Sequence, residues 1–351
     1  MREIHNREAA IRAAFAKQAE WNRQLGASFT ASICDTLGIV LDRTTVVGRR
    51  ILDWPGDPLA DALVLRLTGG LNALVRSGVL ADLATVYPPR AVPEADRLAK
   101  LLAEALADAR LLPWLDSAPQ TNEVGRAGVL MPGLMTIAAA TSLPLRLFEL
   151  GTSAGLNLRM DNYRYDLGGM VIGTNDAPIA LAPQWTGPPP PAAPVTIAAR
   201  HGIDLSPVDV RRAEDRDRLL AYVWPEQSER VARLEAAIAA FVADPVPLDT
   251  GDAAAWVEAN VAALPGTATV VFHSIAWQYF PAATQTRIAA HLAGQGAKAT
   301  AAAPLAWLRY ELDADYVLGL MPTLRLTLWP GGEDRLLAAA HPHGVSVRWF
   351  G

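Results

Sequence analysis

Cysteine is almost missing from this chain: Cys34 is the only one in 351 residues. That excludes an internal disulfide and any metal cluster built on thiolates. Cys34 reads as a small apolar side chain within a helix, and the scarcity of thiols suits a reducing compartment. Dense basic tracts are also missing, and the formal net charge is −5. A binder of nucleic-acid backbones needs a concentrated Lys/Arg face, so no nucleic-acid partner is expected. The six histidines follow no metal-ligand spacing, and no metal is expected. Residues Met1 to Asn6 lack the pattern of a secretion signal, which makes the expected location cytoplasmic. One apolar uncharged run, Ala127 to Leu145, approaches the length of a membrane span. It contains Pro132, Gly133, Thr136, Thr141, Ser142 and Pro144, so it reads as a buried helix leading into a loop, with no membrane partner. No internal repeat is found.

What the chain does have is core material. It is 51% hydrophobic and 19% charged, a globular composition, and its length suggests two domains. Residues 1–142 read as an all-α domain, a helical cap expected to shape a substrate pocket. Apolar residues recur at helical spacing in Arg7–Arg23, Ser28–Leu41, Pro58–Val75, Ala95–Leu112 and Asn122–Ala140. An Arg- and Thr-rich stretch after Leu41 reads as a loop, and Asp53 to Pro58 as a turn. From residue 143 onward strands and helices alternate. Strands are expected at Leu145–Leu150, Pro194–Ala199, Val246–Asp252, Thr267–Phe272 and Ala303–Tyr310. The end differs: Leu324–Trp329, Arg335–Ala339 and Val345–Phe350 alternate between close turns, as antiparallel strands do. Residues 163–194, with four consecutive prolines from Pro188, read as an exposed insertion of polyproline character. The expected class is α/β, an open sheet with its ligand site at the strand C-termini.

One stretch organises this pattern: Leu145-Arg-Leu-Phe-Glu-Leu-Gly-Thr-Ser-Ala-Gly-Leu-Asn-Leu158, a buried strand, a glycine turn and the first turn of a helix. Two chemistries use that shape. Gly151-Thr-Ser153-Ala-Gly155 fits the G-x-S-x-G elbow of a serine hydrolase, with Asp252 and then His273 or His341 following in order. That fold needs strands before its elbow, where this chain is helical, and it leaves Glu149 without a task. A carboxylate buried at a strand end costs several kcal/mol unless a ligand or donor meets it. The same residues also suit a cofactor cradle, in which glycines allow close backbone approach and Glu149 meets a cationic amine.

On Phe148 to Gly155 the sequence resembles the class I S-adenosylmethionine-dependent methyltransferases, with Ser153 at the usual central glycine. Gly202-Ile-Asp-Leu-Ser-Pro207, Gly251-Asp-Ala-Ala254 and Val270-Val-Phe-His-Ser274 resemble the later motifs in order. The resemblance implies a Rossmann-like sheet over 143–351 and S-adenosylmethionine as cofactor. It implies that Glu149, Gly151, Ser153, Gly155 and Asn157 line the cofactor, Asp204 holds its ribose and Asp252 its adenine, with His273 and Ser274 at the methyl-transfer site. The second motif is expected about 20 residues after the first, and the insertion delays it. From its place after a strand, His273 reads either as a general base or as a structural histidine, and Tyr279 as a further candidate beside it. The whole chain also resembles a family of uncharacterised bacterial proteins with a domain of unknown function, on Glu149 to Asn157 and on His273-Ser-Ile-Ala-Trp-Gln-Tyr279. The expectation is a methyltransferase acting on a small molecule. The alternatives are a Ser153 hydrolase and a non-catalytic binding protein on the same fold.

Overall fold

Helical apolar spacing builds the first of two units, and near-continuous apolar strands build the second. The computed structural model describes residues 2–91, 93–312 and 321–351. The first unit comprises Met1–Thr121 and Ala213–Ala232, the second Asn122–Arg212 and Arg233–Gly351.

In the first unit the helices are α1 (Arg2–Gln24), α2 (Ser28–Val40), α3 (Val46–Leu52), α4 (Leu63–Arg76), α5 (Ala81–Ala84), α6 (Ala95–Ala105) and α7 (Leu112–Leu115). Their shared core includes Phe15, Leu37, Leu41, Ile51, Leu63 and Leu67. α3 lies in the stretch read as an Arg- and Thr-rich loop. Thr45 caps it by accepting from the Gly48 N–H at 3.0 Å, a contact worth about 1 kcal/mol. The chain then leaves through α8 (Ala127–Thr141) and comes back as α9 (Ala213–Ala221). The returning segment is tied in by polar contacts. Asn72 Nδ2 donates to Ala221 O and Val223 O, both at 3.0 Å. The Glu226 carboxylate accepts from Thr30 N–H at 2.9 Å and Thr30 Oγ1 at 2.8 Å. The sequence reading put residues 122–142 with the helical part and 213–232 with the sheet. The chain crosses between units at 121/122, 212/213 and 232/233 instead, because α8 packs within the second unit on its strands and α9 packs on α4.

The strands are β1 (Leu145–Leu150), β2 (Arg164–Leu167), β3 (Met170–Ile172), β4 (Ala180–Leu181), β5 (Gln184–Thr186), β6 (Ile197–Asp204), β7 (Leu248–Thr250), β8 (Ala268–Ser274), β9 (Leu305–Glu311), β10 (Thr323–Trp329), β11 (Glu333–Ala340) and β12 (Ser346–Trp349). Nine of them form one sheet in the order β5-β12-β11-β10-β9-β8-β1-β6-β7. From β7 through β9 all neighbours are parallel, while β9 to β12 run antiparallel. This is a mixed α/β architecture with a large, mostly parallel sheet. The connecting helices are α10 (Ser228–Ala243), α11 (Ala253–Asn260) and α12 (Ala282–Gly296). All seven residues of β8 are buried, as is expected of a central parallel strand covered on both faces.

Three local expectations change. The segment 163–194, read as an exposed insertion of polyproline character, carries strands: β2, β3 and β4 form a separate three-stranded sheet, and β5 joins the main sheet edge beside β12. The strand expected at Pro194–Ala199 runs on to Asp204, because pairing with β1 extends it. After Gly155 the chain forms a seven-residue 3₁₀ segment, Leu156–Asn162, in place of an α-helix. The stretch Val124–Thr141 is long and apolar enough to cross a membrane, and 78% of it is buried inside the protein.

Candidate functional site

The connection from β1 to β6 and β7 moves the sheet one way, and β8 and β9 extend it the other way. The reversal lies between β1 and β8, the place where open α/β sheets bind ligands. Glu149, Gly151, Ser153, Asp204, Asp252, His273 and Ser274 fall at or just past one of these strand ends; Gly155 and Asn157 follow in the turn segment after β1, and Tyr279 in the loop after β8.

β1 delivers Glu149 between Phe272 on β8 and Gly202 on β6. It is 2% exposed. Thr152 Oγ1 donates to its Oε2 at 2.6 Å. Burial pushes the carboxyl up to about 8; the Thr152 hydrogen bond opposes this, the nearby Asp204 adds to it, and Arg126 works against it. Glu149 therefore keeps its proton near neutrality.

The glycine turn follows. Gly151, Ser153 and Gly155 all have positive φ, +68°, +53° and +72°. For Ser153 this is an uncommon left-handed conformation that the surroundings must hold in place. Most of the turn's N–H groups already have partners. Gly151 and Thr152 donate to Ile203 O at 2.9 and 3.1 Å, Ser153 to Asp204 Oδ2 at 2.9 Å, Gly155 to Thr152 O at 2.8 Å and Leu156 to Asn122 Oδ1 at 3.0 Å. A cradle for phosphate needs such donors free. With a 3₁₀ segment following in place of an α-helix, the junction also lacks the positive dipole end that would favour a phosphate. A Cβ on Gly151 would sit 2.8 Å from Ala276 Cβ, and one on Gly155 2.8 Å from Leu248 Cδ2, so protein makes both close approaches. Two buried side-chain atoms of the turn segment have no hydrogen-bond partner among the described residues: Ser153 Oγ and Asn157 Oδ1. The Asn157 amide donates to Glu123 O at 3.4 Å.

Asp204 closes β6 beside the turn and is half-buried. Its Oδ1 accepts from Ser206 N–H at 2.9 Å, its Oδ2 from Ser153. Each oxygen keeps a lone pair. Gly251 N–H donates to Asp204 O at 3.0 Å, so the end of β7 lies alongside. Asp252 is occupied: it caps α11 by accepting from Ala255 N–H at 2.9 Å, and its Oδ2 accepts from Thr284 Oγ1 at 3.2 Å.

His273, next to last in β8, is fully buried, and both ring nitrogens are engaged. Nε2 accepts from Trp307 Nε1–H at 3.1 Å, which places the proton on Nδ1, donated to Glu311 Oε1 at 2.7 Å. The general-base role expected for His273 finds no free nitrogen here; the structural alternative accounts for the ring. Ser274 is buried and its carbonyl accepts from Arg126 Nη1 at 2.7 Å. Tyr279 stands in a short 3₁₀ turn and is 71% exposed.

The structure thus brings Glu149, Gly151, Ser153, Gly155, Asp204 and Asp252 to adjoining strand ends, with His273 and Ser274 on the other side of β1. No histidine bonds Ser153 among the described residues, and among them no three His, Cys, Asp or Glu side chains gather as a metal group. Sequence reasoning missed Asn122, Arg126, Thr152 and Glu311. For Glu311 a signal exists: an acid closing an apolar strand, as in Glu149 and Asp204.

The chain belongs to the DUF2332 family of uncharacterised proteins conserved in bacteria, whose profile matches residues 12–349. No curated protein and no solved structure matches it.

Proposed function

We propose that this protein is a soluble, cytoplasmic S-adenosylmethionine-dependent methyltransferase acting on a small molecule. The observation that carries the reading is Asp204. Despite the long insertion, its carboxylate closes β6 within hydrogen-bond distance of the glycine turn at Ser153 and still has lone pairs for two vicinal hydroxyls. The order of the parallel strands supports it too. Counted in chain order, β7, β6, β1, β8 and β9 give 3-2-1-4-5, the order of doubly wound nucleotide-binding sheets. Beyond β9 the sheet continues through antiparallel neighbours.

The residues present fit the cofactor in three respects. Glu149 is a buried acid whose burial the Arg126 charge only partly offsets, and an arriving ammonium group favours its ionised form. Ser153 Oγ and Asn157 Oδ1 are buried and unpaired, as groups awaiting a ligand are. The occupied N–H groups of the turn disfavour a phosphate-bearing cofactor and leave one without phosphate acceptable. Leu205, beside Asp204 and 70% exposed, offers uncovered apolar surface to a planar base. Bound there, the cofactor would supply an electrophilic methyl group on a sulfonium. The chain's own work is to orient it and to hold an acceptor in line, which contributes through proximity. His273 supports the β8 end, and Tyr279 at the β8 exit is the exposed hydroxyl nearest in sequence to it.

The engaged nitrogens of His273 also favour a second reading, a binding protein on the same fold that performs no transfer. Calorimetric titration with S-adenosylmethionine and S-adenosylhomocysteine tests the proposal, with Ser153→Ala assayed on generic esters in parallel. Binding of both ligands, weakened at least about tenfold by Asp204→Ala, is the expected result. Absence of binding together with Ser153-dependent ester hydrolysis reverses it in favour of a hydrolase. Methyl transfer to any acceptor from a small-molecule panel separates the enzyme from the binding protein.

A further inference from the structure

The loop leaving β8 is built with unusual care. Ile275, a β-branched residue, has φ +50°, a conformation that costs free energy wherever it occurs. Its N–H donates to Tyr310 O at 2.8 Å. Ala276 N–H donates to Glu311 Oε1 at 3.0 Å, the same oxygen that accepts from His273 Nδ1 at 2.7 Å. Trp277 stacks on the His273 ring with centroids 4.8 Å apart and planes within 14°. Gln285 Nε2 donates to both Trp277 O at 2.8 Å and Phe280 O at 3.0 Å. The loop so fixed ends against the glycine turn: the nearest atoms to a Cβ built on Gly151 are Ala276 Cβ and the Phe280 ring. One carboxylate at the end of β9 therefore sits behind a chain of contacts that reaches the turn after β1.

We propose that Glu311 is a positioning residue for the glycine turn: through His273 and the Ala276 amide it holds the β8 exit loop in its left-handed bend, so that Ala276 and Phe280 close against Gly151. The part concerning ligand affinity rests on the cofactor reading above; the part concerning the loop does not. Glu311 touches no reacting group. It acts by accepting two hydrogen bonds from one side, a task that an amide oxygen performs as well as a carboxylate. Glutamine at 311 should therefore preserve the arrangement, and alanine should lose it.

The test compares the full-length wild-type chain with Glu311→Gln and Glu311→Ala. Amide hydrogen exchange without ligand is followed in peptides covering 274–280 and 150–156, and S-adenosylhomocysteine affinity is measured by calorimetry. In Glu311→Ala, exchange should rise about tenfold or more in both peptides and affinity should fall about tenfold, while Glu311→Gln stays within about threefold of wild type on both readouts. Unchanged exchange in Glu311→Ala overturns the proposal. So does loosening confined to 274–280 with the turn unaffected, or a Gln variant as loose as the Ala variant. If the wild-type protein binds no S-adenosylhomocysteine, the cofactor reading falls, and the exchange pattern alone decides the role of Glu311. Should Glu311→Ala not fold, Glu311→Asp, one methylene too short to reach both donors, must loosen the same two peptides.

Discussion

Replacing Glu149 by glutamine should change how stability depends on pH. In the unfolded chain this carboxyl titrates near its ordinary value of 4.5; in the folded chain burial moves it to about 8. Below 4.5 both states carry the proton and no penalty exists. Between 4.5 and 8 the unfolded chain releases the proton while the folded chain keeps it. Stability then falls by about 1.4 kcal/mol for each pH unit, reaching about 5 kcal/mol above pH 8. Glutamine cannot ionise, so the variant lacks this slope. Its side-chain oxygen still accepts from Thr152, and its buried NH₂ adds an offset of about 1–3 kcal/mol that does not vary with pH. The measurement is the difference in urea stability between wild type and Glu149→Gln at about pH 5, 6.5 and 8.5, a difference in which titrating groups not coupled to Glu149 cancel. The wild type should lose ground steadily, and the variant should be the more stable of the two at the highest pH. Parallel profiles for the two proteins would refute the reasoning, because they would mean that Glu149 ionises without cost and is not desolvated.

Other outcomes follow from the same geometry. Gly151→Ala combines a left-handed φ with a Cβ 2.8 Å from Ala276 Cβ. It should destabilise by about 2–4 kcal/mol, read as a lowered thermal midpoint. Asp252→Ala removes the α11 cap and the Thr284 contact; a loss of about 1 kcal/mol is expected, with weakened cofactor binding in a protein that still folds. Unchanged affinity would remove Asp252 from the site. Trp307→Phe deletes the donor to His273 Nε2 and should cost about 1–3 kcal/mol while freeing that nitrogen, visible as a new tautomer population in ¹⁵N spectra of the histidine.

Much of the sheet was legible because its strands are short apolar runs bounded by glycine, proline and charge. Leu145–Leu150, Leu324–Trp329 and Arg335–Ala339 fall within β1, β10 and β11, while Thr267–Phe272 and Val345–Phe350 overlap β8 and β12 with ends displaced by one or two residues. Glu149 stood out because a carboxylate at the end of an apolar run is costly to explain, and Asp204 because Gly202 to Pro207 resembles a methyltransferase motif. What stayed hidden depends on contacts between residues far apart in the chain. Nothing near His273 in sequence announces that Trp307 and Glu311 will occupy both its nitrogens. Asn122 reaches Leu156 across 34 positions, and Arg126 reaches Ser274 across 148. The small sheet formed by β2, β3 and β4 was hidden for another reason: strands of two to four residues leave too little periodicity to see, and the prolines after them suggested polyproline character throughout.

The return of residues 213–232 to the first unit sets a schedule for synthesis. A ribosome adding about 5–20 residues per second takes on the order of ten seconds to pass from residue 121 to residue 232. Until then the amide of Asn72 lacks the carbonyls of Ala221 and Val223, and Thr30 lacks Glu226. The helical unit therefore emerges first and is completed late, and the nascent chain must carry an unfinished apolar surface while most of the parallel strands have yet to be made. Dissection at any single point after residue 121 and before residue 232 separates the two parts of that unit. A fragment ending between them should be recovered aggregated or bound to chaperones, whereas supplying residues 213–232 in tandem with the first 121 should restore a soluble helical protein.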